Sequence, residues 1–172
     1  MKEAQIKLLE YDPNWTHLFN LEKERLYPVV KDYLAGGIEH VGSTAIPGML
    51  AKPTIDIMVG VKSLNDSQSL ISKLSVHCYC YYPYKTDVMH WFCKPSPLFR
   101  AYHLHLVPYQ SQLWFERIKF RDYLIHNKES AQEYIHLKSE LAIKYQDDRE
   151  AYTQQKSSFI QNIVSLKNNA IP

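Results

Sequence analysis

The residues of this sequence that could carry chemistry begin with a Gly-Ser pair, Gly42-Ser43, and a lone carboxylate, Asp56. Glycine lets a backbone approach a ligand closely, and backbone N–H groups at the start of a helical turn can hold phosphate. An ionised carboxylate in an apolar segment is costly unless paired, and a strand carboxylate can hold the Mg²⁺ that bridges phosphates. The pattern indicates a nucleotide site, although a tight turn with a structural aspartate explains it equally well.

Two histidines form a second group with the spacing for chemistry. His103 and His105 lie in segment 100–109, whose alternation predicts a strand with both imidazoles on one face. With Asp56 they offer one carboxylate and two imidazoles, a donor set that suits Zn²⁺ or Mn²⁺ better than Mg²⁺. His105 oriented by Asp56 can instead serve as a general base. The alternative is that both histidines only form hydrogen bonds with tyrosines or with Asp56.

Cationic side chains complete the candidate site. Lys52 and Arg100 are candidates to face phosphate, since an Arg fork and a Lys point charge both bind phosphate oxygens, but either can equally be a solvated surface charge. Arg121 is a third candidate to face phosphate, but it lies in a helical pattern, where we expect it instead to attach that helix to the sheet. The predicted ligand-binding set is His40, Gly42, Ser43, Thr44, Lys52 and Arg100; the predicted catalytic residues are Asp56 and His105.

The elements that must position these residues start with short apolar runs. Segments 38–41 and 55–61 flank the Gly-Ser pair and predict two buried strands. Segment 76–94 predicts a strand, a loop and a further strand, and segment 100–109 adds another. From residue 111 onward the apolar spacing is helical, with three successive runs. We expect an α+β fold: a small mixed sheet of four or five strands flanked by helices, with a C-terminal helical block.

The first helix has clear sequence signals. Asp12 before a proline indicates its start, and the charged residues 22–25 are predicted to form its solvated face. Pro28 is expected to kink or split it, and Gly36-Gly37 to end it. A short alternating piece at 5–9 predicts an edge strand.

Composition bounds the class of protein. The 172 residues are 45% hydrophobic and 22% charged, with a formal net charge of +2, which gives no signal for nucleic acid binding. No signal-peptide layout is present and no apolar run approaches the ~20 residues that span a bilayer, so we expect a cytoplasmic protein without a membrane partner. The three cysteines, Cys78, Cys80 and Cys93, form no closed disulfide framework and lack paired Cys-x-x-Cys spacing, so we interpret them as small apolar residues rather than zinc ligands.

Several motifs resemble the GrpB family, and the resemblance extends from Tyr11 to about Ile163. The matching segments are 40–48, 51–53, 55–57, 100–107 and 120–124, with Tyr134, Leu137-Lys138, Leu141-Ala142, Tyr152 and Lys156 in the tail. The resemblance implies a fold similar to the nucleotidyltransferase superfamily, in a family whose activity is unsettled and whose relatives include fusions to dephospho-coenzyme A kinase. The superfamily pattern has a second acid where this sequence has Met58. A third acid is expected on a later strand, where this sequence offers His103 and His105.

These observations lead to several hypotheses of function. The first is a nucleotidyltransferase that binds a nucleotide or another phosphate-bearing small molecule with Mg²⁺, Mn²⁺ or Zn²⁺. The second is a catalytically idle accessory protein that binds a nucleotide or a protein partner, and the third is a structural protein that binds its partner through the helical block. A fourth is metal-dependent hydrolysis at Asp56, His103 and His105. We expect residues 1–110 to form the sheet core and residues 111–172 the helical block packed on it.

Overall fold

The computed structural model describes residues 5–166. The strands within this range are β1 (Leu34–Val41), β2 (Ile55–Val61), β3 (Cys80–Tyr82), β4 (His90–Pro95) and β5 (Arg100–Pro108). The helices are α1 (Asn14–Val30), α2 (Leu70–Ser75), α3 (Gln112–His126), α4 (Lys128–Lys144), α5 (Arg149–Gln155) and α6 (Ser157–Ser165). None of the helices within residues 5–166 is long and apolar enough to cross a membrane.

The strands form a mixed sheet in the order β1-β2-β5-β4-β3. β2 and β5 run parallel, whereas the other neighbouring pairs are antiparallel. The register places Asp56 beside His103 and Met58 beside His105, so these four side chains share one face of the sheet. The predicted α+β fold, with a small mixed sheet flanked by helices, is therefore confirmed.

The two faces of the sheet are covered by different helices. On one face, large apolar side chains of α1 pack against β2 and β5. On the opposite face, Trp114 of α3 packs with Val41, Met58 and Val107. Because Val41 and Met58 share their face with Asp56, the α3 face is the one that carries the candidate site.

A separate apolar cluster joins the loop that follows Gly42-Ser43 to the C-terminal helices. Its buried members are Ile46, Met49, Phe120, Leu124, Tyr134 and Ile163. Ile46 and Met49 come from the loop between β1 and β2, whereas the others come from α3, α4 and α6. Burial of these side chains holds the loop against the helices, so the helical block helps to position the Gly-Ser pair.

Two glycines lie in a strand rather than at a helix end. α1 runs through Pro28 and ends at Val30, so of the predicted kink or split at Pro28 the split does not occur, and the predicted helix end at Gly36-Gly37 is wrong. A Cβ atom on Gly36 would lie 2.2 Å from the ring of Tyr109. The glycine is therefore required for close packing of the strand against this ring.

Glu22 is buried, and the prediction that it lies on the solvated face of the first helix is wrong. It is 1% exposed. Its Oε1 accepts hydrogen bonds from the Tyr79 hydroxyl at 2.9 Å and from Lys94 Nζ at 2.5 Å. A buried carboxylate is tolerated when it is paired in this way, so Glu22 ties α1 to the segments around β3 and β4.

The two ends of the described chain differ from the predictions in detail. The edge strand predicted at 5–9 is reduced to a bridge between Leu9 and Ala51, and the last helical run is divided into α5 and α6. The predicted start of the first helix is confirmed, since Asp12 Oδ1 accepts a hydrogen bond of 2.9 Å from the Asn14 N–H. Local sequence signals thus predicted the start of the first helix correctly, whereas the short strand that they predicted at 5–9 is reduced to a bridge.

We expect Gly60→Ala to lower the free energy of unfolding by about 1–3 kcal/mol, because the added methyl group overpacks the contact between sheet and helix. A Cβ atom on Gly60 would lie 2.9 Å from the ring of Trp114 and 3.1 Å from the Cα of Gly36. Urea unfolding followed by circular dichroism measures the change.

Gly37→Ala is the matched control for this substitution. Its Cβ atom would meet the Oε1 atom of Glu39 at 2.8 Å, the end of a side chain that can move. Equal losses of stability in the two variants would contradict the proposed packing of α3 on Gly60.

Candidate metal and phosphate site

A carboxylate and two imidazoles meet on the α3 face of the sheet. His103 Nδ1 lies 2.9 Å from Asp56 Oδ1, and His105 Nε2 lies 3.6 Å from the same oxygen. One ligand atom from each residue can be chosen so that all lie within 4.8 Å of one another. The parallel pairing of β2 with β5 thus assembles the predicted set of Asp56, His103 and His105, which we call the metal group.

The electrostatics of the metal group suit a cation. Burial on its own would raise the pKa of Asp56, but the hydrogen bond with His103 and the nearby imidazole of His105 lower that pKa well below its usual range. Burial, together with the charge of Arg117, lowers the pKa of His105 to about 3. A carboxylate and a neutral imidazole are the forms that bind metal ions.

Unpaired nitrogen atoms show that the metal group fits a divalent cation. His103 Nε2 and both ring nitrogens of His105 are buried without a hydrogen-bond partner among the described residues. A buried polar atom without a partner is costly, and a coordinated cation would remove that cost for one nitrogen of each ring. The side chain of Asp56 is 27% exposed, so the group is reached from solvent. The mixed oxygen and nitrogen donors favour Zn²⁺ or Mn²⁺ over Mg²⁺.

The Gly-Ser pair lies directly against this carboxylate. Gly42 has a φ of +73°, and a Cβ atom at this position would lie 2.4 Å from Asp56 Oδ2. Any side chain at residue 42 would thus be strained and would also collide with the carboxylate. A short 3₁₀ turn, Ser43–Ala45, follows. The close approach predicted from glycine is present, and the loop adjoins the metal group.

A buried lysine reaches the same loop from the helical block. In the sequence it stands out only as part of the family resemblance, and no role at the site was predicted for it. Lys138 of α4 is 1% exposed. Its Nζ donates a hydrogen bond of 3.2 Å to Ser43 Oγ and another to the Leu50 carbonyl, and lies 4.7 Å from the ring centre of Tyr134. A lysine in the buried stripe of a helix, between Tyr134 and Leu141, was the available signal.

Two further lysines extend this positive region. Lys156 Nζ lies 4.1 Å from the ring centre of Tyr152, and Lys52 Nζ lies 5.2 Å from the same ring. Lys52, Lys138 and Lys156, which we call the lysine cluster, come from the loop before β2, from α4 and from the junction of α5 with α6. Lys52 was predicted as a phosphate-facing cation, whereas Lys156 was noted only as part of the family resemblance.

The lysine cluster carries charges that repel one another. Burial and the charge of Lys156 lower the pKa of Lys138 to about 7. Burial and the charge of Lys52 lower the pKa of Lys156 to about 7, against an opposing effect of Asp56. Holding these cations close together lowers the stability of the folded protein. Such an arrangement is typical of a site that binds an anion.

The other predicted ligand-binding residues differ in their contacts with this site. His40 stacks on Phe19 with ring centres 4.7 Å apart, on the α1 face, and shares a hydrogen bond of 3.0 Å with Thr44 Oγ1. Burial lowers the pKa of His40 to about 4, so this imidazole is neutral. His40 and Thr44 therefore brace the loop, and the structure does not bring His40 into the metal group.

The two predicted arginines have structural contacts. Arg100 lies 5.6 Å from the ring centre of Trp91 and donates a hydrogen bond of 2.8 Å to the Pro97 carbonyl. Arg121 donates to Glu39 Oε2 and to the His40 carbonyl, each at 2.9 Å. Arg121 thus attaches α3 to β1, which confirms its predicted structural role.

The cysteines do not form a metal site with the neighbouring histidines. Among residues 5–166, the metal group is the one set of three or more His, Cys, Asp or Glu side chains whose ligand atoms converge. Cys93 is buried, and burial raises the pKa of its thiol. Cys80 and Cys93 face each other across β3 and β4 as free thiols.

The fold and the site together define an α+β protein in which a strand carboxylate, a Gly-Ser loop and a lysine of a C-terminal helix lie close together. A sequence profile of the family described as GrpB protein matches residues 5–166. The chain belongs to the GrpB family.

Individual relatives agree with this assignment. The Glutamate-rich protein GrpB of Alkalihalophilus pseudofirmus is 35% identical over 170 residues, which cover 96% of this chain and 97% of that protein. A UPF0157 protein of Pseudomonas aeruginosa is 35% identical over 167 residues, which cover 94% of this chain and 67% of that protein.

Solved structures show the same fold. The crystal structure of conserved protein GrpB from Enterococcus faecalis matches with a TM-score of 0.83 at 29% identity, over 92% of this chain and 94% of that chain. A chain in the structure of the GLD-2/RNP-8 complex matches with a TM-score of 0.57 at 14% identity, over 95% of this chain and 64% of that chain. This second likeness is one of fold alone.

We expect Lys138→Met to raise the free energy of unfolding at pH 7 by about 1–3 kcal/mol, because relief of a buried charge outweighs the lost hydrogen bonds. The unfolded lysine keeps its proton up to about pH 10.5, whereas the folded one releases it near pH 7. Its opposition to folding is therefore complete below pH 7 and disappears above pH 10.5. The gain in the variant should shrink as the pH rises from 7 to 10.

Urea unfolding at several pH values measures this gain. Lys144→Met in the same helix removes an exposed lysine and should change stability by less than ~0.5 kcal/mol. A Lys138→Met variant that is less stable than the parent at pH 7 would mean that Lys138 acts mainly as a structural cross-link.

Proposed function

We propose that this chain binds a nucleoside triphosphate together with a divalent cation and transfers its nucleotidyl group to an acceptor. The observation that carries the proposal is the contact between Lys138 and Ser43, beside the glycine that lies against Asp56. It places the lysine cluster and the metal group at the same loop. A polyphosphate needs both neighbouring cations and a metal-binding carboxylate.

The lysine cluster suits the outer phosphates of such a ligand. Its three ammonium groups come from separate elements: that of Lys138 lies at Ser43, and those of Lys52 and Lys156 lie over the ring of Tyr152. An anion bound there would relieve the mutual repulsion of the lysines and raise their pKa values. Backbone N–H groups of the 3₁₀ turn after Gly42 supply further donors.

The metal group suits the inner part of the ligand. Asp56, His103 and His105 would hold the cation, whose role when bound is to neutralise phosphate oxygens and to polarise the phosphorus atom. In the transfer itself, an acceptor oxygen forms a bond to the α-phosphorus while the bond from that phosphorus to the β-phosphate oxygen breaks. The pyrophosphate that leaves carries the broken-bond electron pair, and the lysine cluster stabilises its charge.

His105 serves better as a ligand than as a base in this scheme. Its imidazole is 5% exposed and its pKa is lowered to about 3, mainly by burial. A base works best when its pKa lies near the working pH, so this imidazole would take a proton poorly at pH 7. The proton of the acceptor then passes to solvent at the exposed side of Asp56.

A specific observation favours a second candidate, an idle nucleotide-binding protein with the same cleft. Met58, where the superfamily resemblance implies a second acid, is fully buried and packs with Val41, Val107 and Trp114. An apolar contact thus stands where the resemblance implies a metal ligand, and less negative charge is available to bind metal ions. Binding without turnover is the expected behaviour of this candidate.

We expect at least one nucleoside triphosphate, with Mn²⁺ or Zn²⁺, to raise the melting temperature by several degrees. A ligand at 100 times its Kd stabilises by about 2.7 kcal/mol. Asp56→Asn should remove the part of the shift that needs the metal, and Lys138→Met should remove the nucleotide shift. Lys144→Met should retain both. The proposal fails if none of ATP, GTP, CTP or UTP shifts the parent protein with any of the cations.

Turnover separates the two candidates. We expect the nucleotide that binds to release pyrophosphate slowly, with water as a substitute acceptor, and Asp56→Asn to reduce this rate by at least about 100-fold. An α-labelled nucleotide and an enzyme-coupled pyrophosphate assay measure both products. Binding with no release above the Asp56→Asn level would instead establish the idle binding protein.

A further inference from the structure

Arg117 occupies the middle of the helix that covers the site face. Trp114 lies one turn before it and packs against Gly60, and Arg121 lies one turn after it and bonds to Glu39. Residues three and four apart lie on the same face of a helix, so Arg117 also faces the sheet, between these two anchors. The part of the sheet that lies there contains Met58 and its neighbour on β5, His105.

The two arginines of this helical face differ in their partners. Arg121 donates hydrogen bonds to Asp122, Glu39 and the His40 carbonyl. Arg117 has no hydrogen bond or ion pair with any residue in the range 5–166. It is partly buried, and it interacts electrostatically with Asp56 and with His105. A guanidinium whose donors are not taken up by protein acceptors, and which lies beside the metal group, can pair with an anionic group of a ligand.

Arg117 and the lysine cluster lie on different elements around the same carboxylate. Asp56 interacts with Lys156 from the helix junction and with Arg117 from α3. The lysine cluster is attached to the Ser43 loop, whereas Arg117 is held between Trp114 and Arg121. Arg117 is therefore a second cationic group beside the metal group. A nucleotide whose outer phosphates bind the lysine cluster would leave Arg117 available for another anion.

We propose that Arg117 binds an anionic group, a carboxylate or a phosphate, of the acceptor substrate. This inference rests on the proposed function, in which the lysine cluster holds the leaving pyrophosphate and the opposite side of the metal group faces the acceptor. In-line displacement requires the attacking and leaving oxygens to lie on opposite sides of the phosphorus. Arg117 binds and orients the acceptor, and the bonds that form and break are those of the nucleotidyl transfer given above.

The acceptor class follows from the shape of the guanidinium. Its planar fork pairs with two oxygens of one carboxylate or phosphate, an arrangement that a lysine cannot reproduce. A small acidic metabolite and a phosphorylated metabolite offer the same pair of oxygens. Both classes are therefore used as probes, with acetate representing the carboxylate and inorganic phosphate representing the phosphate.

The experiment titrates each probe into protein saturated with Mn²⁺ and a non-hydrolysable nucleoside triphosphate analogue, with NMR line broadening by Mn²⁺ as the readout. We expect Arg117→Gln to weaken binding of one probe by about 10-fold or more. The Kd of the nucleotide analogue should change by less than about twofold, since Arg117 lies outside the lysine cluster. Arg117→Lys should recover only part of the probe affinity, because it keeps the charge and loses the fork.

Controls separate this proposal from the proposed function. Arg25→Gln removes one exposed positive charge from α1, on the other face of the sheet, and should leave both affinities unchanged. Lys138→Met should weaken the nucleotide analogue, whereas Arg117→Gln should not. Equal probe binding by Arg117→Gln and the parent would overturn the acceptor role, and so would a loss of nucleotide affinity in Arg117→Gln as large as that in Lys138→Met.

A failure of nucleotide binding would give a different experimental result. If the parent protein binds no triphosphate analogue, the proposed function fails, and the probes are titrated with Mn²⁺ alone. Probe binding that Arg117→Gln still weakens would then support Arg117 as an anion site, and probe binding that it leaves unchanged would overturn it. Circular dichroism and melting curves confirm beforehand that each variant is folded.

Discussion

The carboxylate of Asp56 is a negative charge placed on the face of an apolar sheet, and its neighbours are arranged to make that placement tolerable. Two imidazoles from the adjacent parallel strand lie against it, and residue 42 must be a glycine because a side chain there would collide with it. Burial would otherwise make such a group neutral. The register of β2 with β5 and the glycine at position 42 both meet this electrostatic constraint.

Some of the side chains around Asp56 and Ser43 destabilise the folded protein, and others stabilise it. The apolar cluster of Ile46, Met49 and the C-terminal helices holds the Gly-Ser loop in place. Lys138 is buried within reach of that loop, although a desolvated ammonium destabilises the folded chain. Groups that are held in place although they destabilise the fold are typical of functional sites. For that reason the lysine cluster is stronger evidence of function than the surface charges.

The sequence predicted the sheet and the metal group well, since both depend on local patterns. An alternating strand displays His103 and His105 on one face, and an isolated acid in an apolar strand marks Asp56. Lys138 and Lys156 could not be placed in the same way, because their distance from Ser43 is set by packing of helices far along the chain. Glu22 was misplaced because helical spacing fitted residue 21 or 22, and the buried partners Tyr79 and Lys94 lie on distant segments.

The parallel register of β2 and β5 has a consequence for how the chain reaches its native state. Side chains alternate between the faces of a strand, so a slip of β5 by one residue would turn both histidines towards α1 and present Leu104 to Asp56. A cation that binds the carboxylate and the imidazoles together would bind only the correct pairing. Such a cation would therefore stabilise only chains whose strands are correctly aligned, and it would do so during folding, before any substrate binds.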